Sequence, residues 1–224
     1  MSEIELNRLI DHTLLKPEAT PADIRRICGE AGKYNFFSVC INTHYVPLAV
    51  SELEGSDVKV CSIAGFPLGA VDTAVKAFEA GRAVEAGADE IDMVLNIGAL
   101  KTGDRDFVLK DIAGVVRACG GGVVVKVIIE AAILTDREKV DACKLAVDGG
   151  ASFVKTSTGF GPPGASVHDV EVMRRAVGPD FGVKASAGIR TASFAIELVS
   201  AGANRIGTSS SVQIIEEWNS HLRS

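Results

Sequence analysis

The stretch DGGASFVKT, residues 148–156, joins the end of one predicted helix to the start of a predicted strand. The same order occurs in EAGADEIDMVL, residues 85–95, and in SAGANRIGT, residues 200–208. In each copy a helical run ends at a glycine, which suits the left-handed position that closes a helix. A short apolar run begins two or three residues later. This repeated order predicts strict alternation of helices and strands along the chain.

The apolar runs also indicate how the strands are arranged. Several of them, such as VVVKVII at 123–129, are apolar on both faces, as expected for parallel strands that helices cover. Eight alternating strands predict an α/β protein with a closed (β/α)8 TIM barrel. A doubly wound open sheet is the alternative, but no GxGxxG follows the early strands. The predicted strands lie near 10–14, 37–41, 58–63, 90–95, 123–129, 152–156, 181–186 and 204–207.

Length and punctuation favour a single domain. The chain has 224 residues, which suits one barrel, and no linker or low-complexity tract divides it. We therefore predict one domain over residues 1–224, with a C-terminal helix or tail from about residue 209. A helix start is expected after Thr20, an N-cap that precedes Pro21 at the first helical position. Helix starts are also expected after Thr135 and Ser166, each followed three residues later by an acidic side chain.

Composition narrows the functional class. The net charge of −6 argues against a nucleic-acid or anionic-membrane partner, and no signal peptide or membrane span is recognised. The five cysteines form no CxxC pair, which indicates a reducing, cytoplasmic location. The four histidines are scattered without HExxH spacing, so no metal is expected. His12 is interpreted as a hydrogen-bonded structural residue at a strand end.

Charged side chains inside the apolar runs are the candidate catalytic groups, because barrels place their chemistry at the carboxyl ends of the strands. A single strand lysine is more often structural, but four charged residues on four strands indicate a shared purpose. We expect no direct function for Lys126 beyond ordering Asp92. The polar residues within or ending the runs are Asp11, Thr13, Asp92, Asn96, Lys126, Glu130, Lys155, Lys184 and Ser186.

Two lysines that face one cavity would favour a nucleophilic amine. At an ordinary pKa of ~10.4, only about 0.04% of a lysine side chain is neutral at pH 7. A second ammonium ~4 Å away adds about 4 kcal/mol of repulsion at an effective dielectric of ~20. This repulsion would lower the pKa of one amine by about three, so tens of per cent of that amine would be neutral at pH 7. Such an amine adds to an aldehyde or ketone and forms a Schiff base, with Asp92 moving protons through water.

Two loops have the character of phosphate-binding loops. Residues 187–191 follow the seventh strand and residues 207–211 follow the eighth, and each loop runs into a predicted helix N-terminus. Phosphate sites in barrels often lie at these two positions. Residues 158–161, which follow Lys155, form a third candidate loop. The alternative is that these glycines and serines are ordinary turns and caps.

Several motifs together resemble the deoxyribose-phosphate aldolase family of class I aldolases, over about residues 10–210. The resemblance implies a lyase that reversibly cleaves 2-deoxy-D-ribose 5-phosphate to acetaldehyde and D-glyceraldehyde 3-phosphate. It implies that Lys155 forms the Schiff base, that Lys184 makes its amine reactive, and that Asp92 is the acid/base partner. The motifs are IDHTLLKP, SVCINTHYVP, EIDMVLNIGALK, VKVIIE, FVKTSTGF and GVKASAGIRT.

The resemblance also fixes the expected ligands. It implies a phosphorylated sugar as the partner, a role in deoxyribose phosphate breakdown, and no metal or organic cofactor. One departure from the family pattern is Ala187: the family often has two adjacent glycines in this loop, whereas this chain has Ala187 followed by Gly188. Other Schiff-base barrel aldolases with a different donor, and a non-catalytic sugar-phosphate barrel, stay open as alternatives, as does a homo-oligomer. The predicted phosphate- and substrate-binding residues are Gly159, Ala187, Gly188, Ser209 and Ser210.

Overall fold

A computed structural model of the chain describes residues 5–161 and 163–221. Its eight strands form a closed barrel in the order β1 to β8, and every neighbouring pair is parallel. The predicted barrel is therefore confirmed, and each predicted strand lies within one residue of the observed bounds. The strands are β1 Ile10–Leu14, β2 Ser38–Ile41, β3 Lys59–Ala64, β4 Glu90–Val94, β5 Val124–Ile128, β6 Phe153–Lys155, β7 Gly182–Ser186 and β8 Arg205–Thr208.

Helices follow the strands and cover the outside of the barrel. The two ends of the predicted 1–224 domain, residues 1–4 and 222–224, lie outside the described residues, as does residue 162. Short 3-10 turns lie at Leu6–Leu9, Thr43–Tyr45 and Ala131–Ile133. The helices are α1 Pro21–Tyr34, α2 Val46–Glu52, α3 Thr73–Glu85, α4 Ile97–Lys101, α5 Arg105–Cys119, α6 Asp136–Asp148, α7 Val167–Val177, α8 Ala192–Ser200 and α9 Ser211–His221.

The predicted helix starts are confirmed. Thr20 and Thr135 each form a reciprocal capping box with the acidic residue three positions later. Ser166 accepts a hydrogen bond from the backbone N–H of Asp169. These bonds satisfy backbone donors that the first helical turn leaves free, and they fix where each strand-to-helix loop ends.

Glycines end the helices before β4 and β8, as the repeated order predicted. Gly87 has φ 105 and Gly202 has φ 115, a left-handed backbone that L side chains avoid. A Cβ at Gly202 would lie 2.7 Å from Cγ of Arg174, so the close packing also requires glycine there.

The apolar core lies between the barrel and the helices, and the barrel interior holds charge. Lys126 is paired in register with Asp92, and Lys155 with Lys184. Residues paired in register on adjacent strands point to the same face of the sheet. The four side chains therefore meet inside the barrel.

Candidate active site

Seven buried charged side chains from six strands form one cluster inside the barrel. We call it the interior cluster. Four of its members are cations and three are carboxylates. Burying this much charge is costly unless each group is paired, and every member lies within 4.0 Å of at least one opposite charge. Its members are Asp11, Glu90, Asp92, Lys126, Lys155, Lys184 and Arg205.

Asp92 is the centre of the interior cluster. Its Oδ1 accepts a hydrogen bond from Nζ of Lys126 at 2.7 Å. Its Oδ2 accepts from Nζ of Lys155 at 2.7 Å and from Nζ of Lys184 at 2.8 Å. Burial alone would raise the pKa of Asp92, but the charges of Lys126, Lys155 and Lys184 hold it well below the usual range. Asp92 is therefore a carboxylate at neutral pH, in contact with all three lysines.

Lys184 is held in its charged form. It is fully buried, and its Nζ forms ion pairs with Asp92 and with Asp11. Burial alone would lower the pKa of Lys184, but the carboxylates of Asp11 and Asp92 raise it above the usual range. Repulsion between two ammonium groups alone does not determine which of the two lysines keeps its proton. The structure adds two carboxylates, which decide that Lys184 is the lysine that keeps its proton.

Lys126 contacts Asp92, the residue that it was expected to order, at 2.7 Å. Its Nζ also lies 2.6 Å from Oε2 of Glu90. Burial would lower the pKa of Lys126, but Asp92 leads the groups that raise it well above the usual range. Lys126 is therefore a second permanent cation next to Asp92.

Glu90 and Arg205 belong to the interior cluster but were not among the candidates from the sequence. Both lie at the amino ends of their strands. Nη1 of Arg205 donates to Oδ1 of Asp11 at 2.9 Å and to Oε2 of Glu90 at 3.0 Å. The guanidinium group also stacks 3.5 Å from the ring centroid of Phe37. Charged residues at strand starts are common, so only the placement of Glu90 within EIDMVL gave a signal.

A cavity of about 350 Å³ opens at the carboxyl ends of β1, β6, β7 and β8. Of the four cluster cations, Lys155 is the one that lines this cavity. The residue is 3% exposed, so its amine connects the buried charges to the cavity. The five predicted phosphate- and substrate-binding residues line the same cavity, although their roles stay predictions: Gly159, Ala187, Gly188, Ser209 and Ser210.

Two cationic side chains at the cavity were missed. Lys16 and Arg190 both line it. Lys16 follows β1 and Arg190 follows β7, so they reach the cavity from different loops. Both residues were inside quoted motifs, LLKP and GIRT, but each lies beyond its strand and was not weighed. They supply positive charge next to the candidate phosphate loops.

The loops after β7 and β8 are joined by Thr208. Its Oγ1 donates to the carbonyl of Ile189 at 2.7 Å and accepts from the backbone N–H of Ser210 at 3.0 Å. Ala187 has φ 72 and Gly188 has φ 75, both left-handed. This conformation costs a non-glycine residue about 1–2 kcal/mol, so the surrounding contacts must hold Ala187 in place.

The other polar candidates have separate places. Thr13 lines the cavity. Oδ1 of Asn96 caps α4 by accepting from the N–H of Ala99 at 3.1 Å, and Asn96 does not line the cavity. Oε2 of Glu130 accepts from the N–H of Thr158 at 3.1 Å, which supports the loop after β6. Thr13 therefore remains a candidate for substrate contact, whereas Asn96 and Glu130 support loops.

The donor atoms of Cys40, Cys61 and Asp92 lie within 4.8 Å of one another and form the one candidate metal group in the described ranges. The same carboxylate already accepts bonds from three lysines, so a bound metal ion would face three ammonium groups. Cys61 Sγ itself lies 3.3 Å from Nζ of Lys126. This chemistry does not fit a metal centre.

Comparison with known proteins identifies the family of the chain. A family model described as DeoC/LacD family aldolase matches residues 7–214. The chain belongs to the DeoC/LacD aldolase family. This aldolase is 57% identical to the deoxyribose-phosphate aldolase of Thermoanaerobacter sp. (strain X514), over 96% of this chain and 98% of that protein. It is 60% identical to the deoxyribose-phosphate aldolase of Coprothermobacter proteolyticus, over 96% and 97% of the two chains.

Solved structures show the same fold. The deoxyribose phosphate aldolase of Aeropyrum pernix, described as tetrameric, superposes with a TM-score of 0.90 and 38% identity, and the match covers 96% of this aldolase and 92% of that chain. Within residues 5–161 and 163–221, no helix of the aldolase is long and apolar enough to span a bilayer.

Proposed function

We propose that this aldolase reversibly cleaves 2-deoxy-D-ribose 5-phosphate to acetaldehyde and D-glyceraldehyde 3-phosphate through a Schiff base on Lys155. The observation that carries this proposal is the position of Lys155, the one cluster cation that also lines the cavity. The names of similar proteins support the substrate, since several relatives at 54–60% identity are deoxyribose-phosphate aldolases.

The charge balance of the interior cluster supports Lys155 as the nucleophile. Four cations face three carboxylates, so the fully charged cluster carries one excess positive charge. Loss of one proton makes the cluster neutral. Lys126 and Lys184 are held charged by their carboxylates, and a guanidinium such as that of Arg205 does not lose its proton in proteins. Lys155, whose amine reaches the cavity, is therefore the lysine that we assign as the nucleophile.

The reaction then follows from the neutral amine. Nζ of Lys155 attacks the C1 aldehyde of the open-chain sugar, and loss of water gives a protonated Schiff base. The C2–C3 bond breaks, its electron pair moves into an enamine, and the C3 hydroxyl loses its proton, which releases D-glyceraldehyde 3-phosphate. Protonation of the enamine carbon and addition of water then release acetaldehyde and free the amine.

Asp92 and Lys184 are the groups placed to move the protons. Nζ of Lys184 contacts Oδ2 of Asp92, and the same oxygen contacts Nζ of Lys155. A carboxylate accepts a proton and an ammonium donates one, and together they can pass protons to a water in the cavity. The ammonium of Lys184 also disfavours a second positive charge on the adjacent amine.

The phosphate group would bind at the loops after β7 and β8, which line the same cavity as Lys155. The backbone N–H groups of Gly188 and Ser209 supply donors in loops that lead into α8 and α9, while the N–H of Ser210 is bonded to Oγ1 of Thr208. Lys16 and Arg190 supply the charge that a dianion requires. The cavity of about 350 Å³ is in the size range of small-ligand sites.

The wider setting follows from this chemistry. The partner is a phosphorylated sugar rather than a nucleic acid or a membrane, and the reaction belongs to the breakdown of deoxyribose phosphate in the cytoplasm. The relative from Aeropyrum pernix is tetrameric, which supports a homo-oligomer for this chain as well.

The test is acetaldehyde release from 2-deoxy-D-ribose 5-phosphate. We expect turnover by the wild-type aldolase and none by Lys155→Ala, while Lys139→Ala, which removes an ion-paired lysine between α6 and α7, retains it. Preference for dihydroxyacetone phosphate as the donor in the reverse reaction would instead identify a different aldolase. Phosphate binding without any turnover would identify a non-catalytic barrel.

A further inference from the structure

His12 faces away from the barrel interior, although its neighbours face inward. Side chains alternate along a strand, and Asp11 and Thr13 on either side of His12 reach the interior cluster and the cavity. His12 is 3% exposed, between β1, α1 and the start of α9. The reaction proposed above gives this buried imidazole no role.

A chain of hydrogen bonds leads from His12 to the candidate phosphate loops. Nε2 of His12 lies 2.7 Å from Oε2 of Glu30 on α1, and Nδ1 lies 2.9 Å from Oγ of Ser211. Oγ of Ser211 in turn lies 3.0 Å from the carbonyl of Thr208. Thr208 is the residue that joins the loops after β7 and β8. The chain therefore ends at the junction of both loops.

A count of protons shows which form of His12 satisfies this chain. The carboxylate of Glu30 and the carbonyl of Thr208 can only accept hydrogen bonds. Ser211 has one hydroxyl proton, and if it donates that proton to Thr208, Nδ1 of His12 must donate to Ser211. Nε2 must also donate, to Glu30. Only the imidazolium form, with both nitrogens protonated, makes all three bonds at once.

We propose that His12 is a positioning residue for the phosphate end of the cavity, and that its protonation orders the loop at Thr208 and tightens the binding of a tetrahedral dianion. This proposal rests on the proposed function, because it assigns the anion to the same cavity. In this proposal the cavity binds the dianion when His12 is neutral, and protonation of His12 increases the affinity for it.

The surroundings of His12 set the pH at which the effect appears. Burial lowers the pKa of His12 below its usual value, Glu30 opposes the decrease, and Arg26 contributes to it. Arg26 also binds the carboxylate of Glu30 at 2.9 Å. The other elements packed against His12 present uncharged groups: Val39, Thr208, Ser211 and the ring of Phe36. The affinity should therefore rise as the pH falls below about 6.5.

Sulfate is the appropriate probe, because it remains a dianion while a phosphate ester titrates near pH 6. We would measure sulfate binding by calorimetry from about pH 5.5 to about pH 8, the range in which a histidine titrates. Sulfate affinity of the wild type should rise about fivefold toward low pH, a typical coupling between two sites. In His12→Gln and in Ser211→Ala this rise should disappear.

The matched control is Tyr34→Phe. Oη of Tyr34 donates to Oε1 of Glu216 at 2.7 Å and so links α1 to α9 without reaching Thr208. This variant should keep the wild-type pH dependence. A second readout uses turnover: His12→Gln should raise KM for the phosphorylated sugar more than KM for unphosphorylated deoxyribose.

The outcomes separate this proposal from the proposed function. An equal rise of sulfate affinity in the wild type and in His12→Gln would overturn the role of His12, and an equal rise in Ser211→Ala, which keeps His12, would overturn the hydrogen-bond chain that carries it. Absence of sulfate binding by the wild type at every pH would overturn it too. Neither result depends on turnover, so acetaldehyde release decides the proposed function independently.

Discussion

Replacement of Lys184 by methionine tests the charge balance of the interior cluster. The side chain keeps its approximate length and loses its charge, so the cluster no longer carries an excess positive charge. Nζ of Lys184 and Nζ of Lys155 both contact Oδ2 of Asp92, at 2.8 and 2.7 Å, so the two nitrogens are close neighbours. In the variant, the adjacent ammonium of Lys184 no longer opposes the carboxylates, which favour the charged form of the Lys155 amine.

The size of the expected pH shift follows from the distance between Nζ of Lys155 and Nζ of Lys184. At about 5 Å and an effective dielectric of ~20, the lost repulsion is about 3 kcal/mol. At ~1.36 kcal/mol for each pH unit, this energy corresponds to about two pH units. Turnover through a neutral amine rises with pH as the amine loses its proton. The ascending limb of kcat/KM should therefore move up by about two pH units in Lys184→Met.

The assay is acetaldehyde release at a series of pH values, with thermal melting to verify that each variant is folded. Lys76→Met is the matched control, since Lys76 is also fully buried and its Nζ donates to Asp111 at 2.6 Å, but on the helices outside the barrel. This control should lose stability and keep the wild-type limb. A folded Lys184→Met protein whose ascending limb coincides with that of the wild type would refute the electrostatic argument.

Three further predictions concern the same cluster. Asp92→Asn should lower kcat about a hundredfold, because a positioned acid/base group contributes this much, while sulfate affinity measured by calorimetry changes less than about twofold; a lost affinity with an intact fold would contradict this. Gly207→Ala should lower kcat and cost about 1–3 kcal/mol in denaturant titrations, because the new Cβ would lie 2.9 Å from Cε of Lys184; Gly121→Ala, with no atom within 4 Å of its Cβ, is the control, and equal losses in both would reject the argument. Asp11→Asn should lower Tm at pH 7, and the deficit should shrink below about pH 3.9. Burial alone would raise the pKa of Asp11, but Lys184 and Arg205 lower it. The ionised form of Asp11 therefore stabilises the fold at pH values above the pKa of the unfolded chain, and this stability is lost in acid. A deficit in Tm that is constant with pH would contradict this.

The barrel could be predicted from the sequence because its signals are local. A glycine that ends a helix and an apolar run that begins soon afterward, as in residues 85–95, depend only on nearby residues. Buried parallel strands are apolar on both faces, so even their bounds were predictable to within a residue. The same signals do not fix the ends of the chain or the loops beyond the strands, and Lys16 and Arg190 were missed for that reason.

The site was predictable where a charge interrupts an apolar strand, since a buried charge is costly and needs a reason. Lys155, Lys184 and Asp92 stood out on this ground. Arg205 did not, because a charge at the start of a strand is ordinary. The protonation of Lys184 was also beyond the sequence, because it depends on the carboxylate of Asp11, which the closure of the barrel brings to the opposite side of β8.

The most direct measurement of the central claim is borohydride reduction of the aldolase in the presence of acetaldehyde, followed by mass mapping of its peptides. A Schiff base reduced in this way becomes a stable secondary amine on the lysine that formed it. The account predicts one ethylated lysine, Lys155, and no adduct in Lys155→Ala. An adduct on Lys184 or Lys126, or an unmodified protein that still turns over substrate, would contradict it.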